Sequence, residues 1–139
     1  MDALTVMARL ARRALDEERR ALVRIDRAIG AARALLVEAH EAAERERRAA
    51  CALADGNVRL LAYLRRMHGR AEAFAAELRR LEGQRQAQAA RLSERHLELR
   101  RLEILIERRA DRVQVEAAWR EQTAMDELVQ LRRWRRADR

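Results

Sequence analysis

The side chains best suited to nucleophilic or metal chemistry here are three histidines and one cysteine. His40, His68 and His96 stand 28 residues apart, and Cys51 is alone. A protein metal site gathers Cys, His, Asp or Glu ligands at short spacings, so this pattern predicts no metal. The four glycines are scattered, and no Gly-rich loop is present to cradle phosphate. Carboxylates are plentiful, but they fall into helix-surface pairs with arginine. Examples are Glu41 with Arg45, Glu44 with Arg48, and Glu103 and Glu107 beside Arg108. Such pairs contribute about 0.2–0.5 kcal/mol each. Acid–base work by carboxylates needs a shielded pocket, which two paired helices do not provide. No catalytic, cofactor-binding or metal residue is therefore expected, and the chain is read as no enzyme.

Binding chemistry is better represented. The run Arg132–Arg136, RRWRR, sets Trp134 among arginines, and the last eight residues hold five Arg against one Asp. Arginines around an aromatic suit phosphate contact with stacking, or an acidic lipid surface. A short terminal run is more commonly a solvated or protein-contacting tail, so no nucleic acid is expected as partner. Aromatics make up only 3% of the chain. Tyr63, Phe74, Trp119 and Trp134 each stand equally well as partner anchors or as residues packed on the chain itself.

The elements that must carry these residues are helices. Proline is absent, every basic residue is Arg, and Ala, Leu, Arg and Glu dominate. These are strong helix formers. Charged residues reach 39%, but apolar residues make up 49% and are regularly spaced, which argues against disorder. A strict heptad from Met1 through Leu4, Ala8, Ala11, Leu15, Glu18, Leu22, Ile25, Ile29, Ala32, Leu36, Ala39, Ala43, Glu46 and Ala50 to Leu53 is apolar at fourteen of sixteen positions. This is the a/d seam of a coiled coil, about 80 Å long at 1.5 Å per residue. Its many alanines allow a close partner helix. A second seam runs from Leu64, Met67, Ala71, Phe74, Leu78 and Leu81 to Leu92, Leu99, Leu102, Ile106 and Val113. It is broken at Arg85, Gln88, Arg95 and Arg109, and Glu18 and Glu46 are candidates to face the central gap. After Val113 the register slips to Ala117, Ala124, Leu128 and Leu131, a stutter that unwinds a supercoil locally.

Between the seams, Asp55-Gly56-Asn57 is the best turn signal. Gly56 can end a helix cheaply, and Asn57 or Asp55 can cap the next. His68-Gly69 is a weaker break. Residues 58–67 are thus either the first turns of the second helix or a separate short helix at the tip. The expected fold is all-α, a long two-helix antiparallel coiled-coil hairpin with helix 1 over about 2–53, a turn or tip over about 54–70, and helix 2 over about 71–136. A bend at 55–57 makes residue i face roughly 111−i. The Arg-rich C-terminus then overhangs the paired region. A single cysteine excludes an internal disulfide and suits a reducing compartment. The amphipathic N-terminus is unlike a signal peptide, and no run approaches the ~18 apolar residues of a membrane span. A cytoplasmic protein is expected.

The order of these parts resembles a known family. LTVMARLARRALDEERRAL opens a long helix, LLAYLRRMHGRAEAF follows the turn, and AAWREQTAMDELVQLRRWRR closes the chain. Glu121-Gln122, then Met125-Asp126-Glu127-Leu128 and the basic tail, is the most specific piece. The whole chain resembles the FliJ/YscO stalk proteins of type III secretion, flagellar or injectisome. The resemblance implies an antiparallel coiled coil similar to the central stalk of rotary ATPases. It implies a protein that binds and stimulates the hexameric export ATPase and reaches the membrane export gate and escort chaperones. It places the ATPase contact at the C-terminal end, on Gln122, Met125, Asp126, Leu128, Arg132, Arg133 and Trp134. The gate contact falls at the tip, on Leu60, Tyr63 and Met67. The expected form is a cytoplasmic monomer at the inner-membrane secretion apparatus. A generic homo-oligomeric coiled-coil scaffold and a basic helical nucleic-acid-binding protein are the competing readings.

Overall fold

The computed structural model describes residues 2–52 and 57–139, with side chains after the bend given from Arg59 onward. The chain is all-α, as its periodicity predicts. Helix α1 is Ala3–Cys51 and helix α2 is Asn57–Ala137. The turn residues Asp55 and Gly56 lie outside the described residues. α1 closes on a tightened turn, the Ala52 N–H donating to the Ala49 carbonyl at 3.3 Å. Arg135 and Arg136 sit in the last turn of α2, where positive charge complements the helix dipole.

One expectation needs correction. His68-Gly69 does not interrupt the chain, and no separate tip helix precedes residue 71, because α2 runs unbroken from Asn57. An internal glycine costs about 1 kcal/mol against alanine. Met67, Arg70 and Ala71 around it favour helix enough to offset that. No described glycine takes a positive φ.

The helices divide into two compact units. One is Arg13–Arg95; the other joins Met1–Arg12 to His96–Arg139. Within the first, α1 and α2 pack along their seams. Ile29, Ala32 and Leu81 form a buried cluster against which Ile25, Ala28 and Leu78 pack. Ala39 and Ala71 are buried as well. The α1 seam is covered at every described position in this unit save Glu46, which is exposed. Polar pairs cross between the helices. Arg33 reaches Glu82 at 3.5 Å, Asp26 reaches Arg85 at 2.6 Å, and Gln88 reaches Glu18. As residue numbers rise on α1 they fall on α2, so the helices are antiparallel.

In the second unit Arg12 pairs with Glu103 at 3.3 Å, and Asp2 accepts two bonds from Arg109 at 2.8 Å each. The order is again antiparallel. Asp2 with Arg109 and Asp26 with Arg85 both obey the 111−i rule. Ala8 and Leu99 are buried here, and Leu4, Leu102 and Ile106 are half-buried. From Glu107 onward every residue of α2 is exposed.

Candidate docking surfaces

The gap in the second seam resolves into polar pairing. Gln88 is buried to 6% exposure. Its amide donates to the Glu18 backbone carbonyl at 3.1 Å and also to the Glu18 carboxylate. Arg85 turns outward to Asp26 rather than to Glu18 or Glu46. No buried side-chain nitrogen or oxygen among the described residues lacks a partner. On α2, Arg80 donates to Glu77 and holds that carboxyl below its ordinary range, the hydrogen bond outweighing a smaller desolvation effect. Among the described residues no group of three His, Cys, Asp or Glu side chains could hold a metal. Cys51 is exposed at the last residue of α1.

Leu60, Tyr63 and Met67 are half-buried. Tyr63 lines a hollow with Leu35, Ala39, Met67 and Phe74, and a second one with Ala49, Ala50 and Leu60. Small alanines on α1 leave these hollows, and the larger side chains of α2 lean into them. Leu61, one residue off the seam, is 58% exposed.

The C-terminal residues are all on α2 and all exposed. Placed at about 100° per residue, Met125, Leu128 and Arg132 share one side of the helix. Gln122, Asp126 and Arg133 occupy another, and Trp134 stands apart from both. The expected ATPase-contact residues therefore wrap the helix instead of forming one patch. What does form a patch is a stripe that includes Leu128 and Leu131. Beside it Leu131 and Trp134 make a shallow hollow with Glu127 and Gln130. Trp119 and Trp134 are 72% and 71% exposed.

No protein-family model matches the chain, and no curated protein or solved structure is significantly similar to it. Among the described residues no helix is long and apolar enough to cross a membrane.

Proposed function

We propose that this chain is a non-enzymatic stalk protein of a type III secretion export apparatus, cytoplasmic and associated with the inner-membrane machinery. It binds and stimulates the hexameric export ATPase and links it to the export gate and escort chaperones. One observation carries the reading. Helix α2 continues past its last bridge to α1, at Asp2–Arg109, as an exposed helix bearing Met125, Leu128, Trp134 and the terminal arginines. These are the residues that the resemblance to the FliJ/YscO proteins assigns to the ATPase. The antiparallel pairing of α1 and α2 also suits a stalk of that kind. The scaffold reading is weaker, because the seams that would assemble a scaffold are covered by the partner helix as far as Ile106. The nucleic-acid reading rests on the tail alone, and it requires binding that falls steeply with salt.

The test is the hydrolysis rate of the export ATPase from the same organism with and without this protein. A dose-dependent rise is expected. No change in rate, together with no co-sedimentation, would remove the proposal.

A further inference from the structure

Helix α2 carries one continuous apolar face through the unit formed by Met1–Arg12 and His96–Arg139. Leu99, Leu102 and Ile106 lie on it and are covered or half-covered. At about 100° per residue, Val113, Ala117, Ala124, Leu128 and Leu131 fall on the same face. Val113, Leu128 and Leu131 are 60%, 54% and 53% exposed. The face that packs on α1 thus runs on beyond the last α1 pair with nothing over it.

The stripe is ordered in size and in charge. Its first part is small, with Ala117 and Ala124; its second part is large, with Leu128 and Leu131 flanked by Trp134. Divided at the same place, residues 110–124 hold two Arg against three acids, a net −1, and residues 125–139 hold five Arg against three acids, a net +2. A helix that fits must present large side chains and positive charge to the first part. It must present small side chains and negative charge to the second. The same segment laid antiparallel does both.

We infer that residues 110–139 form an antiparallel pair with the same segment of a second copy, a two-fold contact in which each stripe is self-complementary. Leu128 and Leu131 of one copy pack toward the alanines of the other. The basic tail of each runs beside the other's Glu116 and Glu121. Helix α2 gains by this the partner helix it lacks past Arg109, without disturbing the seams already filled. The contact uses Leu128 and Trp134, which the stalk reading gives to the ATPase, and it departs from the single chain that reading expects, so self-pairing and ATPase binding exclude each other.

Sedimentation of the chain alone tests this, with Cys51→Ala throughout to exclude disulfide pairing. The mass is expected to rise from 16.2 kDa toward twice that value as concentration increases. The double variant Leu128→Glu, Leu131→Glu should stay at the single-chain mass and keep its helicity, since both side chains are exposed. For direction, Ala124→Cys lies near the two-fold centre and Ala137→Cys far from it. Mild oxidation should cross-link the first many-fold faster than the second. A wild-type chain that remains single at the highest concentration overturns the inference. So does a double variant that pairs as readily as wild type, or equal cross-linking at both positions, which would indicate a parallel pair. A failed pairing test leaves the ATPase experiment untouched, and the converse holds.

Discussion

The same substitution at two leucines of α2 should have opposite consequences. Leu81 is 7% exposed and packs with Ile29 and Ala32. Leu131 is 53% exposed. Leucine and alanine differ by three carbons, and at about 0.8 kcal/mol per buried group the transfer loss at Leu81 is about 2.4 kcal/mol. Unfilled space adds to it, but a two-helix seam opens to solvent and closes more easily than a globular core, so Leu81→Ala should cost about 2–3 kcal/mol. At Leu131 little apolar area is lost, and alanine is the better helix former. Leu131→Ala should therefore change stability by less than about 0.5 kcal/mol. Far-UV circular dichroism through a urea titration reads both, at a concentration low enough to keep single chains. The reasoning fails if Leu81→Ala costs under about 1 kcal/mol, or if Leu131→Ala costs as much as Leu81→Ala.

Other substitutions probe separate features. A Cβ added at Gly30, Gly69 or Gly83 meets nothing within 4 Å, so alanine at each should stabilise by about 0.5–1 kcal/mol, seen as a higher urea midpoint. Gln88→Ala strips the Glu18 carboxylate of its donor and opens space in the seam, so a loss of about 2 kcal/mol is expected. No loss would mean that Glu18 simply turns to solvent. Deleting residues 132–139 should leave the melting curve unchanged, because all are exposed, while ATPase stimulation falls several-fold. A large drop in melting temperature would show instead that the tail holds the fold.

Periodicity alone exposed most of this architecture. On α1 every described seam position except Glu46 is covered, since a heptad of apolar residues has only one face to bury. The facing rule based on the bend placed Arg109 at Asp2 and Arg85 at Asp26. Of the two acids that could face the polar gap, Glu18 does so, bonded to Gln88, and Glu46 is exposed. Local signals misled where packing decides. The glycine at 69 reads as a break, yet its cost is small beside the helix on either side. For Tyr63 the sequence left partner contact and packing on the chain equally open, and α1 offers it alanine-lined hollows. Leu60 and Leu61 are separated by the seam spacing itself, which runs back from Leu64 to Leu60, and the structure leaves Leu60 half-buried and Leu61 exposed. At the C-terminus the stutter after Val113 was visible, but the spread of Met125, Asp126 and Trp134 around the helix needed the continuous helix to be seen.

The cross-helix pairs of the Arg13–Arg95 unit also set how it assembles. Glu82 and Arg33 are 49 residues apart, Arg85 and Asp26 are 59, and Gln88 and Glu18 are 70. Enlarging the closed loop from 49 to 70 residues adds only about 0.3 kcal/mol of closure entropy. Each further turn of seam buries a leucine or isoleucine worth several times as much. Pairing should therefore begin near the bend and close outward like a zip, with little cost per step after the first. Truncations at Ala71 or Ala39 would slow folding, whereas changes at Glu18 and Gln88 would chiefly quicken opening. The part of the helix pair farthest from the bend is the first to part and the last to close.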